Sequence, residues 1–160
     1  MAGYGTDDGL TAYATANGLI MPAGGNITAA RQRGSLFVDG VYGDRFSGRP
    51  TDGAAQDREW PRTGASDTYG NVITPDLVPA RVEYAVYEAA IAEINNPGIL
   101  SPVVIAAERV KREKVGPLET EFFEGADAAK DAIPSITAID GLLRPLLVPV
   151  AGYGPAILVV

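Results

Sequence analysis

The chain has 160 residues, a net charge of −7 and a pI near 4.5, with 46% hydrophobic and 21% charged residues. That length suits one domain with a real core, and the acidic balance disfavours coating of a phosphate backbone, which needs clustered Lys and Arg. With no Cys and no His, disulfides, thiol catalysis, Zn-thiolate or His-metal sites and Ser-His-Asp triads are excluded.

Thr6, Asp7 and Asp8 form a helix start: a cap oxygen meets free N–H groups, and two carboxylates sit in the first turn. Leu10, Tyr13 and Ala14 give a short apolar face, ended by Asn17-Gly18, and Met21 to Gly25 reads as a turn. Asn26 caps a second helix whose apolar face is Ile27, Ala30, Gly34, Phe37 and Val41, with Arg31, Ser35 and Asp39 elsewhere. Gly34 and Gly40 each weaken it by roughly 1 kcal/mol relative to Ala. Close helix–helix approach is the expected compensation, or, for Gly40, fraying before Gly43. Phe46 to Pro75 is a long segment of turn formers, of a length usually either disordered or functional.

The third helix is the clearest element. Pro79 suits its first position, Tyr84, Tyr87, Ile91 and Ile94 form a stripe with Val82, Val86 and Ala89 beside it, and Arg81, Glu83, Glu88 and Glu93 fill the remaining arc. It stops at Asn95-Asn96-Pro97-Gly98. Alternation on both sides of Gly116-Pro117 predicts a β-hairpin or extended arm over about 103–123, with Leu118, Thr120 and Phe122 on one face. Ser135 caps a short final helix lined by Ile136, Ile139 and Leu143 and ended by Pro145. The fold class is therefore mainly α: a bundle of about four helices with a hairpin arm, a long loop and an extended C-terminal tail.

No secretory signal is read at the acidic start. Pro145 to Val160 carries no side-chain charge, but it is interrupted by Pro and Gly and is shorter than the ~20 residues of a spanning helix, so no membrane role is expected. The tail is either a last strand on its own domain or an edge strand added to another protein.

Trp60, flanked by Arg58 and Arg62, is either a stacking platform for single-stranded nucleic acid or a ring pinning the long loop to the helices, with the arginines paired to Asp57 or Glu59. Arg109, Lys111, Arg112 and Lys114, interrupted by Glu108 and Glu113, could touch phosphate. They could instead form cross-strand pairs with Glu119 and Glu121, or meet an acidic neighbouring subunit. No glycine run has the context of a phosphate loop, and nothing pairs a nucleophile with a base, so no enzyme and no cofactor are expected.

The order MAGYGTDDGLTAYATANG, ARQRGSLFVDGVYGDRF, QDREWPRTGA, TPDLVPARVEYAVYEAA, NNPGILSP and RVKREKVGPLETEFF resembles a family of tailed-phage and prophage proteins, some labelled DnaT-like single-stranded-DNA-binding proteins. The layout is also similar to the head–tail connectors (adaptors) of long-tailed phages, on Trp60-Pro61-Arg62-Thr63-Gly64 and Pro75 to Pro79. It covers roughly residues 1–147. The resemblance implies a helical adaptor domain at 1–147 and a docking tail at 148–160. A ring of about twelve copies would sit in the virion neck, assembled in the host cytoplasm, continuing the channel for passing double-stranded DNA. Its expected partners are the portal protein, neighbouring copies and a tail-side stopper or tail-completion protein. The expected portal contacts are Tyr153, Pro155, Ile157, Leu158, Val159 and Val160. Trp60, Arg62, Arg109, Lys111, Arg112 and Lys114 are candidates for contacts between subunits or toward the tail. The alternative is a single-stranded-DNA-binding replication accessory protein.

Overall fold

The computed structural model describes residues 3–101 and 136–148, together with the backbone of 112–115 and 118–121. It is mainly helical: α1 (Asp7–Ala16), α2 (Ile27–Tyr42), α3 (Ala80–Asn95) and α4 (Thr137–Leu143). β1 (Arg49–Pro50) pairs with β2 (Arg62–Thr63), and β3 (Arg112–Val115) with β4 (Leu118–Glu121), both antiparallel. No helix among the described residues is long and apolar enough to cross a membrane.

Local chemistry sets the helix starts. Thr6 Oγ1 accepts from the Gly9 N–H at 2.9 Å, with Asp7 and Asp8 in the first turn of α1. Asn26 Oδ1 accepts from the Ala29 N–H at 2.9 Å and opens α2. Pro79 stands at the N-cap of α3 rather than inside it. Ile136, without a side-chain cap bond, occupies the N-cap of α4, and the proposed cap Ser135 lies outside the described residues. Beyond α4, Arg144–Leu146 forms one 3₁₀ turn with Pro145 at its start.

α3 is the centre, packed on α1, α2 and α4. Between α1, α2 and α3, Leu10, Ala14, Ala30, Tyr87, Ala90 and Ile91 form one apolar cluster. A larger one joins Phe37, Val38, Val82, Val86 and Ala89 to Phe46, Trp60, Ile139, Leu143 and Leu147. Gly34 allows the tight α2–α3 contact, as expected: a Cβ there would lie 2.8 Å from the Val86 carbonyl oxygen and 3.1 Å from the Ala90 nitrogen. Gly40 does not act this way. It is exposed, with nothing within 4 Å of a Cβ, and α2 continues past it to Tyr42 without fraying.

Two helix faces differ from the simple stripes. Arg31 and Ser35, placed off the apolar face of α2, are buried. Ser35 Oγ accepts from the Tyr4 N–H at 2.9 Å, and Arg31 Nη1 donates to the carbonyls of Gly3, Tyr4 and Gly5, holding the segment before α1. On α3, Tyr84 is partly exposed and stacks on Tyr13 at 5.1 Å, while Glu93, assigned to the charged arc, is only 5% exposed. Its carboxylate accepts the N–H groups of Gly98 and Leu100 and pairs with Arg33 at 3.0 Å, closing the turn after the helix. A buried carboxylate is tolerable when its lone pairs are used this way.

The 46–75 segment is ordered. The β1–β2 ladder, a 3₁₀ turn at Gly53–Ala55 and a bridge between Ser66 and Val72 give it a fixed course. The charge-free C-terminal region starts inside the domain: Leu146 and Leu147 are buried, and Phe46 bridges Leu147 antiparallel. The Val148 N–H donates to the Arg45 carbonyl at 2.8 Å, and the Thr68 N–H to that of Pro145 at 2.8 Å.

Candidate functional site

The aromatic–arginine motif of the long loop is turned inward. Trp60 is 2% exposed and meets Phe46 edge to face at 5.4 Å. Its backbone N–H donates to Tyr4 Oη at 2.9 Å, and Tyr4 in turn donates to Asp39 Oδ1 at 2.6 Å. Trp60 Nε1 is buried and reaches no acceptor among the described residues. The peptide joining Trp60 to Pro61 is cis.

Arg62 is 5% exposed, and its donors are taken up within the chain. Nε reaches Ser47 O at 2.9 Å, Nη2 reaches Gly48 O at 2.9 Å, and Nη1 pairs with the Glu59 carboxylate. Arg58 pairs with Asp39 rather than with Asp57 or Glu59. Trp60 and Arg62, candidates for contacts between subunits or with the tail, thus have their contacts inside the domain. They pin the loop to the helices, and a buried aromatic cannot offer the open face that base stacking needs.

In the hairpin, the backbone register sets Arg112 opposite Glu121, Glu113 opposite Thr120, Lys114 opposite Glu119 and Val115 opposite Leu118. Arg109 and Lys111 lie outside the described residues, as do Tyr153, Pro155, Ile157, Leu158, Val159 and Val160.

The structure also assembles a site that sequence inspection missed. An open groove of about 740 Å³ runs between the 66–72 turn and the end of α4, walled by Arg45, Tyr69, Asp140, Arg144, Leu147 and Val148. Tyr69 is 81% exposed at the tip of a turn fixed by Asp67, whose Oδ1 accepts the N–H groups of Tyr69 and Asn71 at 2.9 and 2.8 Å. Arg144 is exposed, and neither it nor Arg45 forms an ion pair among the described residues. The Arg45 guanidinium lies 5.9 Å over the Tyr42 ring, and its Nε is buried without an acceptor among the described residues. Asp140, the acidic part of the wall, accepts from Tyr42 Oη at 2.6 Å. These residues come from three distant segments, so no local motif announces the groove. The only local sign was a Tyr inside an Asp-x-x-x-Asn turn.

Electrostatics follow burial. Desolvation pushes the Tyr4 hydroxyl well above its ordinary value, with the Asp39 carboxylate adding to the effect, and it raises Asp39 itself. Desolvation likewise raises Tyr42, helped by its bond to Asp140, and takes Tyr13 up to about 12, helped by Glu88. Asp67 is held low, first by the side-chain bond from Asn71. Among the described residues no group of three or more His, Cys, Asp or Glu is placed to hold a metal.

A sequence model of the family described as "Putative DnaT-like ssDNA binding protein" matches residues 3–160. No curated protein and no solved structure matches the chain.

Proposed function

The chain belongs to the DnaT-like single-stranded-DNA-binding protein family, and from this premise we propose that it binds single-stranded DNA. The observation that carries the reading is the extent of the match, residues 3–160. It spans the helical domain, the hairpin and the C-terminal tail together. An acidic chain of net charge −7 cannot bind DNA through its overall field, so binding is local, modest in affinity and weakened by salt in proportion to the few phosphates contacted. Fluorescence anisotropy with a labelled oligothymidine at low salt tests this, with the same strand in duplex form as a control. Binding of the single strand that fades as salt is raised is the expected result. A wild-type protein that leaves the anisotropy unchanged at low salt overturns the reading.

A second reading is a head–tail connector, a virion structural protein docked on the portal in a ring of its own copies. The observation favouring it is the inward placement of Trp60 and Arg62. The Trp-Pro-Arg-x-Gly signature then marks the adaptor fold, not a base-stacking surface. An acidic chain also suits a channel through which DNA slides without sticking. On this reading the residues from Tyr153 to Val160 dock on the portal. A protein lacking residues 150–160 should keep its helical circular dichroism and its melting temperature but no longer co-purify with a portal ring. Full retention of portal binding by the truncated protein excludes that docking role.

A further inference from the structure

Resting on the single-stranded-DNA reading, we propose that the groove between the 66–72 turn and the end of α4 holds the strand. One base stacks on Tyr69, and the neighbouring phosphates lie against Arg144 and Arg45.

Three observations converge on this groove. The first is the state of Tyr69. The residue is 81% exposed, yet its backbone is tied at both ends of the turn. Asp67 takes the N–H groups of Tyr69 and Asn71 and the side-chain amide of Asn71, and the Thr68 N–H is anchored on Pro145. An aromatic ring held out from a fixed turn loses little conformational freedom when a base stacks on it. Trp60, the residue that sequence alone offers for stacking, is closed off in the core.

The second is the distribution of positive charge. Arg31, Arg33, Arg58 and Arg62 are each bound to a carboxylate within the chain. Among the described residues Arg45, Arg49, Arg81 and Arg144 form no ion pair, and of these Arg45 and Arg144 stand together on the groove wall. Guanidinium groups present several donors in a plane that matches a phosphate. The third is composition: one aromatic face, two cations and an apolar floor of Leu147 and Pro145 are the elements of a sequence-tolerant single-strand site. Asp140, four residues before Arg144 on the same wall, has one carboxylate oxygen engaged by Tyr42 Oη at 2.6 Å.

The test uses the full chain and a labelled oligothymidine. Tyr69→Ala should weaken binding about tenfold or more, the usual loss for one stacked base, while Tyr69→Phe keeps it. Arg144→Ala should weaken binding and flatten the salt dependence. Two phosphate contacts give a slope of log K against log salt of about −1.4, and the variant loses about 0.7 of it. Arg144→Lys restores the slope, and Trp60→Phe leaves affinity unchanged. Both altered side chains are exposed, and an unchanged melting temperature shows the domain intact. Wild-type binding that neither Tyr69→Ala nor Arg144→Ala disturbs overturns the site while the single-stranded-DNA reading stands. Absence of wild-type binding at low salt overturns that reading, and the site with it.

Discussion

At the level of single residues, two glycines of one helix should respond in opposite directions. Gly34 faces the backbone of α3, and neither the Val86 carbonyl nor the Ala90 nitrogen can yield to a methyl group. Gly34→Ala therefore pushes α2 off α3 and should cost about 1–3 kcal/mol, the usual range for overpacking. Gly40 has open space around it, so Gly40→Ala should add about 1 kcal/mol through helix propensity alone. Urea denaturation would read the two as midpoints shifted to either side of the parent. Shifts of the same sign would contradict this account of α2. Arg62 is a third case. Its guanidinium serves carbonyls on both sides of the β1–β2 ladder, so Arg62→Ala strands several buried acceptors and should cost about 3 kcal/mol or more. Arg62→Lys keeps a charge but loses the planar fork, and rescues little of that loss.

Among elements, the segment before α1 depends on α2 more than on its own sequence. Arg31 holds three of its carbonyls and pairs with Asp7 at 2.8 Å. Asp7 is held below its ordinary value, first by the hydrogen bond from Thr28 and then by Arg31. A carboxylate lowered in the folded state contributes stability that is present above its unfolded value near 3.9 and is lost as pH falls through the folded one. Asp7→Asn should therefore lower the melting temperature at neutral pH, by an amount that shrinks steadily below pH ~4. A gap that stays constant down to acid would remove Asp7 from the linkage. The same segment shows what sequence reveals and what it hides. The four helices are legible because caps and apolar spacing are local signals: Thr6, Asn26 and the Val82–Val86–Ala89 row need no tertiary knowledge. Arg31, Ser35 and Glu93 are misread because periodicity assigns polar residues outward. Each is buried to satisfy backbone groups of a segment distant in the chain or in the turn beyond its helix. The groove of Arg45, Tyr69 and Arg144 is hidden for a related reason, since the fold alone brings its three segments together. Trp60 draws attention in the sequence because tryptophan suits both a stacking face and a core, and only packing separates the two.

At the scale of the whole molecule, three tyrosines among the described residues tie separate parts of the chain to carboxylates: Tyr4 to Asp39, Tyr13 to Glu88 and Tyr42 to Asp140. In each, burial is the first cause that raises the hydroxyl, and the carboxylate adds to it. The folded state keeps these protons while the unfolded chain releases them near pH 10. Their contribution is thus complete below pH ~10 and is lost as pH rises toward the folded values. On alkaline titration these three rings should ionise only together with loss of helical signal. Their tyrosinate absorbance appearing near pH 10 with the fold intact would show that the bonds do not hold in solution. The inward Trp60 has a different consequence, for observation. Because it is the sole tryptophan and sits beneath the long loop against Phe46, its fluorescence is a private signal of that loop. Emission should lie to the blue in the native protein and move red when the loop lifts from the helices. It should stay still when a ligand occupies a surface elsewhere, so occupancy and opening can be followed in one cuvette without a label.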